Sequence, residues 1–310
     1  MSPLLTVENL RVSFPTRTGL VEAVRGVSFT LGRERLGIVG ESGSGKSQTG
    51  RAIMGLTPVQ ARISADRLQF GDTDLLTASP ARRRSLRGKQ LAMILQDPKY
   101  SLNPVMTVGR QIMETLRTHE KVSSSEARKR ALAMLEAVQI RNPERVFDLY
   151  PHEVSGGMGQ RVMIAMMLIA EPDILIADEP TSALAQAEVQ QLFSLVRRLR
   201  DRGVTIIYIS HRLAELGEIA DTVTALKDGH FTGSCPMADA TPAVILEMMF
   251  GDITPVTRPP RPVAAGEPIL SIRNLSVEPM LKNVSFDLHK GEVLGIAGML
   301  GSGRTELLRA

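Results

Sequence analysis

Apolar and polar positions alternate over residues 4–14 and 20–31, as in Leu5-Thr-Val-Glu-Asn-Leu10 and Val27-Ser-Phe-Thr-Leu31. A period of two predicts antiparallel strands with one buried face. Short apolar runs at 36–39, 91–95, 173–179 and 204–209 predict further strands, several of them buried on both faces, and strands are also expected at 63–70 and 222–227. Between them the period lengthens to that of a helix. A basic helix is expected near 79–88, and residues 107–170 look helical throughout. Ser123 and Glu126 have capping-box spacing, and Ala131, Met134, Leu135 and Val138 mark one buried face. The segment 186–202 buries Val189, Leu192, Phe193, Val196 and Leu199 at the same spacing, with Gly203 placed to end it. A short helix at 212–220 and an Asp228-Gly229 hairpin turn follow.

The apolar run 36–39 leads into Gly40-Glu-Ser-Gly-Ser-Gly-Lys-Ser47, which fits G-x-x-x-x-G-K-S, and Gln48 onward can continue as a helix. Gly40, Gly43 and Gly45 let the backbone curl without a Cβ penalty, so N–H groups from Gly43 and Ser44 through Ser47 and Gln48 can converge on phosphate oxygens. The helix behind them aims its positive end at the same place. Lys46 supplies a full charge for the outer phosphates, and the Ser47 hydroxyl suits Mg²⁺, which favours oxygen ligands. Strand, loop and helix in that order predict a nucleotide site. Upstream, Phe14 stands where a ring could stack on a base.

Further candidates lie where predicted strands end. Gln96 follows the strand at 91–95 and opens a Pro-rich loop, Gln96-Asp-Pro-Lys-Tyr-Ser-Leu-Asn-Pro104. Ser155, Gly156 and Gly157 open an almost wholly apolar helix, a second anion-binding design by amides and helix dipole. The strand at 173–179 ends in Asp178 and Glu179. The first carboxylate suits a Mg²⁺ shell and the second suits polarising a water for attack on a γ-phosphate. The strand at 204–209 delivers His211 to its tip, where open α/β sheets bind ligands.

Composition narrows the class. At 310 residues, 43% hydrophobic and 23% charged, the chain is an ordinary globular protein with room for two domains. A net charge of +4 makes no case for nucleic acid, and the basic run at 82–89 reads as a solvated helix face. One cysteine, Cys235, excludes an internal disulfide and fits a reducing cytoplasm. No signal peptide is evident, and the apolar stretch 162–170 is too short to cross a bilayer, so any membrane connection is expected through a partner.

Residues 251–268 are proline-rich and polar, the composition of a semi-rigid linker. Beyond it the opening of the chain returns. Leu270-Ser-Ile-Arg-Asn-Leu275 echoes Leu5 to Leu10, Val284-Ser-Phe-Asp-Leu288 echoes Val27 to Leu31, and Gly295 to Thr305 echoes Gly37 to Ser47, with Arg304 in place of Lys46. A period this long signals a duplicated domain. The copy reaches only its phosphate loop, so this piece is expected to be unfinished.

Lys46, Gln96, the Ser155-Gly-Gly157 loop, the Asp178-Glu179 strand end and His211 occur in this order and spacing in one family. The chain resembles the ATP-binding subunit of ABC transporters. That resemblance implies an α/β P-loop NTPase (RecA-like) core with an antiparallel β-subdomain and an α-helical subdomain near 100–170, all within a first domain of residues 1–250. Residues 269–310 would begin a second such domain. It also assigns roles: Phe14 on adenine, Gln96 sensing Mg²⁺ and the attacking water, Glu179 as base, His211 on the γ-phosphate. Two domains would pair head to tail, Ser155 and Gly157 closing over ATP on the opposite one. The implied partners are integral-membrane permease subunits, a second nucleotide-binding domain and, indirectly, a periplasmic or lipid-anchored solute-binding protein. The implied location is the cytoplasmic face of the inner membrane.

The subtype reads as mixed. The loop from Gln96 to Pro104, Thr107-Val-Gly109 and Tyr150-Pro-His152 look like the peptide and nickel importers. The stretches 188–193, 209–213 and 269–310 look like tandem-domain monosaccharide importers. Three departures stand out: the turn at 31–37 is one residue short against its repeat, Gly159 replaces a usual basic residue, and Ala185 replaces a frequent Asp. Two rival readings remain at this point. One is a soluble ABC ATPase acting on ribosomes or DNA; the other is a product that binds ATP but turns it over weakly.

Overall fold

The computed structural model describes residues 3–95, 102–181, 184, 186–251, 267–278, 281–297 and 302–310. The chain divides into two compact units, Met1–Ile253 and Thr254–Ala310.

In the first unit, β1 (Leu5–Thr16) and β2 (Gly19–Leu31) form an antiparallel pair, joined by β4 (Arg62–Ser64), β5 (Arg67–Phe70) and β6 (Thr73–Asp74). The expected single strand over 63–70 is thus two pieces, broken at Ala65 and Asp66. A second sheet holds β3 (Arg35–Gly40), β7 (Leu91–Ile94), β8 (Ile174–Asp178), β9 (Thr205–Ile209), β10 (Thr222–Lys227) and β11 (His230–Pro236) in the order β11-β10-β3-β9-β8-β7. All its pairings are parallel except the β10–β11 hairpin, turned by Asp228 and Gly229 at φ 50° and 85°.

The parallel strands are buried on both faces, which is why their sequences lack alternation. Ile174, Ile176, Ile207 and Ile209 pack with the first sheet and α1 (Lys46–Met54), while Leu175, Ala177, Ile206 and Tyr208 face a second core. That second core is closed by helices. They include α3 (Val108–His119), α4 (Ser124–Ala137), α5 (Pro143–Phe147), α6 (Gly156–Leu168), α7 (Gln186–Asp201), α8 (Leu213–Ile219) and α9 (Pro242–Phe250). The basic helix is α2 (Pro80–Leu86), capped by Ser79, whose hydroxyl accepts from the Arg82 N–H. The shortened turn before β3 leaves no trace in the sheet. Strand β3 pairs with β9 and β10 without a register shift.

The second unit holds the hairpin β12 (Leu270–Val277) and β13 (Leu281–Leu288) and a short helix, α10 (Arg304–Arg309). Residues 292–297 form no strand, and Leu270, Val293 and Ile296 are exposed. Most of the expected linker, 252–266, lies outside the described residues, as do Gln96, Ala185 and 298–301 of the second phosphate loop.

Candidate functional site

Helix α1 starts one residue after Gly45, which caps it at φ 92°, ψ 0°, so Lys46 and Ser47 occupy its first turn. Gly43 is also left-handed, at φ 84°. The loop is tight: a Cβ on Gly45 would stand 2.4 Å from the Ala23 carbonyl oxygen, and one on Gly40 would collide with the Leu226 carbonyl. The curl brings backbone N–H groups and the positive helix end to one face, a cradle for an anion. Phe14, Ala23, Ser42, Gly43, Gly45, Lys46, Ser47, Gln48, Glu179 and His211 line a cleft of about 560 Å³ over it.

Lys46 is 5% exposed, and its ammonium donates to the carbonyls of Gly40 and Glu41 at 2.9 and 2.8 Å. Burial pulls its pKa down, against the opposing pull of Glu179 and Asp178. Among the described residues the buried Ser44 hydroxyl has no hydrogen-bond partner, and such a group in a cradle fits a ligand rich in acceptors.

Strand β8 brings the carboxylates. Asp178 pairs with Ile209 in register and is 1% exposed, and its Oδ1 accepts from Ser47 Oγ at 2.7 Å. Burial pushes its carboxyl above the ordinary carboxylate range, opposed by the Ser47 bond and by Arg51 and Lys46. Ser47 Oγ and Asp178 are hard oxygen donors side by side, the chemistry Mg²⁺ takes. Among the described residues no group of three or more His, Cys, Asp or Glu could hold a metal alone.

At Glu179 the chain leaves the strand with φ 46°, a left-handed turn uncommon for a residue with a Cβ. Its N–H still donates to the Ile209 carbonyl at 2.9 Å, and its Oε1 lies 3.2 Å from His211 Nδ1. The next residue is also pinned: the buried Gln160 of α6 donates from Nε2 to the Pro180 carbonyl at 3.0 Å.

Lys46, Ser47, Asp178, Glu179, His211 and Phe14 are therefore brought together. Ser155, Gly156 and Gly157 are not. Ser155 and Gly156 are exposed and help line a separate hollow with Leu102, Pro104 and His152. The Ser155 hydroxyl caps α6, accepting from Met158 N–H at 3.3 Å, and Gly159 continues that helix without interruption. Sequence reasoning missed Gln160, Thr181 and Glu215. The available signal for Glu215 was an acid on the buried face of α8, beside Leu216 and Ile219.

The family profile described as ABC transporter matches residues 24–182. The dipeptide transport ATP-binding protein DppD of Bacillus subtilis (strain 168) is 48% identical over 234 residues, 74% of this chain and 69% of that protein. The glutathione import ATP-binding protein GsiA of Escherichia coli O157:H7 is 37% identical, with 99% of this chain and 58% of that protein covered. Among solved structures, the dimeric post-hydrolysis state of the ATP-binding cassette MJ0796, bound to ADP and Pi, matches with a TM-score of 0.67 at 24% identity. It covers 75% of this chain and 98% of that one, a likeness of fold. The monosaccharide-importer likeness expected over 188–193, 209–213 and 269–310 finds no support in these relatives.

Proposed function

This chain is a member of the ABC transporter family and an ATPase of that family, and we propose on this premise that it powers a bacterial importer of short peptides. The observation carrying the reaction is the 2.7 Å contact of Ser47 with Asp178 beside Lys46, with Glu179 next along the chain. Support for the cargo class comes from the dipeptide and glutathione subunits it is similar to.

In this reading the N–H groups of residues 43–48 and the start of α1 bind the phosphates of ATP, and Lys46 exchanges two carbonyls for phosphate oxygens. Phe14 packs on adenine at the cleft edge. Ser47, Asp178 and Gln96 would hold Mg²⁺, which would offset charge on the transferred phosphate. Glu179, held in its left-handed turn, accepts a proton from the attacking water, and His211 steadies the γ-phosphate. Ser155, Gly156 and Gly157, at the start of α6 with the first two exposed, serve the site of a second nucleotide-binding domain. The permease would dock from the membrane, with a solute-binding protein delivering cargo on its other side. No described helix is long and apolar enough to cross a membrane, which is compatible with a peripheral place on the cytoplasmic face.

Residues 269–310 are, in the same proposal, the opening of a second cassette. Supporting this, β12–β13 repeats β1–β2 pair for pair: Leu270↔Leu288, Ile272↔Phe286 and Leu275↔Val284 stand for Leu5↔Leu31, Val7↔Phe29 and Leu10↔Val27, with the same shift in register. Asn9 and Asn274 both have φ 51°, and each N–H donates to a serine hydroxyl at 2.8 Å, Ser28 and Ser285. Gly303 caps α10 in the left-handed state, as Gly45 caps α1.

The test is Mg²⁺-dependent ATP hydrolysis by the purified chain across a range of protein concentrations. Specific activity should rise with concentration, because a complete site needs two cassettes. Flat, near-zero turnover despite ATP binding would refute the ATPase role. For cargo, the chain should restore growth on dipeptides to a strain lacking its own peptide-import ATPase; restored growth on a monosaccharide instead would overturn the peptide assignment.

A further inference from the structure

We infer that Glu215 is a positioning residue for the ATPase reaction: its buried carboxylate ties the turn after Glu179 to the strand end that carries His211. The inference rests on the proposed reaction, since it concerns the same pair.

Glu215 sits in the first turn of α8 and is 6% exposed. Oxygen–hydrogen donors converge on it from two directions. Thr181, two residues beyond Glu179, donates from Oγ1 to both carboxylate oxygens at 2.8 and 3.0 Å. From β9 and the residue just past its end, Tyr208 OH and Ser210 Oγ donate to Oε2 at 3.0 and 2.9 Å. Beyond the histidine, Arg212 Nη1 reaches Oε1 at 3.3 Å, and its backbone N–H donates to Ser210 Oγ at 3.0 Å. The residues on both sides of His211 are thus fastened to the same carboxylate as the turn following Glu179.

The chemistry calls for an ionised acid. A carboxylate is acceptor-only, and three hydroxyl donors with a guanidinium match it without leaving a lone pair unused. Tyr208 is fully buried, and burial together with Glu215 pushes its phenol far above the ordinary value, so it stays a donor. An amide in place of Glu215 would turn an N–H₂ group toward hydroxyls that already donate. With Gln160 holding Pro180 from α6, the turn that carries the proposed base is gripped from two helices.

A purely structural buried acid would lower stability without separating binding from turnover. The experiment is therefore a comparison of Glu215→Gln, Thr181→Val, Ser210→Ala and Tyr208→Phe, with ATP affinity, KM and kcat measured well below each melting transition. Glu215→Gln should lower kcat by about tenfold or more while ATP affinity stays within about twofold, the pattern of a group acting in the transition state. Thr181→Val and Ser210→Ala should each lower kcat less, and together approach the Glu215→Gln value, because both act through one carboxylate. Tyr208→Phe removes one more bond to that carboxylate, so it too should lower kcat, by less than Glu215→Gln.

Amide hydrogen exchange supplies a readout independent of turnover. In Glu215→Gln, residues 178–181 and 210–212 should exchange faster together while β3 and α1 stay unchanged. Parental kcat in Glu215→Gln, a loss of ATP affinity as large as its loss of kcat, or unchanged exchange in both segments would overturn the inference. A parental chain that binds ATP without turnover would refute the ATPase reading instead, leaving the exchange result to decide this one.

Discussion

Replacing Gly45 by alanine separates two costs that the phosphate loop imposes. Gly45 caps α1 at φ 92°, and an alanine forced to stay left-handed loses roughly 1–2 kcal/mol. Gly43, at φ 84°, carries the same conformational cost, but a Cβ there meets nothing within 4 Å. At Gly45 the Cβ would sit 2.4 Å from the Ala23 carbonyl oxygen of β2 and 3.3 Å from a Val24 methyl. A backbone carbonyl cannot swing aside as a side chain does, so overpacking adds a further ~1–3 kcal/mol. Gly43→Ala should therefore cost about 1–2 kcal/mol and Gly45→Ala about 2–5 kcal/mol. The assay is urea unfolding of the first unit without nucleotide, with ATP titration of the folded variants. Gly45→Ala should also weaken ATP binding by tenfold or more, roughly, because relieving the clash moves the N–H groups that form the cradle. Equal destabilisation by the two variants, or a milder effect at Gly45, would refute the claim that the loop is pressed against β2.

Asp178→Asn keeps an oxygen for the Ser47 hydroxyl and removes a charge that burial disfavours. Because the native carboxyl titrates above its unfolded value, ionising it costs the nucleotide-free fold stability. That cost is present above the raised native pKa and disappears as pH falls through it. The variant should accordingly melt at the same or a higher temperature near pH 7–8, roughly, with the gain shrinking in acid, while its Mg²⁺-dependent ATP affinity drops tenfold or more; parental Mg²⁺ dependence would contradict the metal role. Gly157→Ala would press its Cβ to 2.3 Å from Glu188 Oε1, the carboxylate that pairs with Arg161 at 3.0 Å. It should cost about 1 kcal/mol in thermal melts and blunt the rise of ATPase with protein concentration, with ATP affinity of the single chain unchanged; a changed affinity would mean that Gly157 serves its own chain's site. Hydrogen exchange should run at least about a hundredfold faster in β12–β13 than in β1–β2, since Leu270 and Val277 are exposed where Leu5 and Val12 are fully buried. Equal protection would show a self-sufficient second unit.

The sheet was legible because burial on both faces writes itself as unbroken apolar runs, and the phosphate loop because only glycine tolerates its geometry. Helix α9 was not anticipated. Its sequence, Pro-Ala-Val-Ile-Leu-Glu-Met-Met-Phe, is apolar on nearly every side, so no period marks it, although Thr241 caps it and Gly251 ends it. The repeat predicted the β12–β13 register, yet its run 292–297 forms no strand, for β3 draws its pairing from β9 and β10, and the described residues of the second unit include no counterpart to either. Within the site, strand ends located Asp178, Glu179 and His211, whereas the left-handed turn at Glu179 follows from tertiary constraint. Glu215 was invisible for a related reason. Its partners Thr181, Tyr208, Ser210 and Arg212 converge only when β8, β9 and α8 are assembled.

In the proposed reaction Lys46 and its loop hold the triphosphate while Asp178 and Glu179 serve metal and water from the adjoining strand end. Single-turnover hydrolysis of pre-bound ATP, comparing the parental chain with Glu179→Gln, tests it most directly. Both should bind ATP with Mg²⁺ equally well, the parental chain should release phosphate, and the variant should retain ATP intact in a trapped dimer. Phosphate release by Glu179→Gln at the parental rate would contradict it.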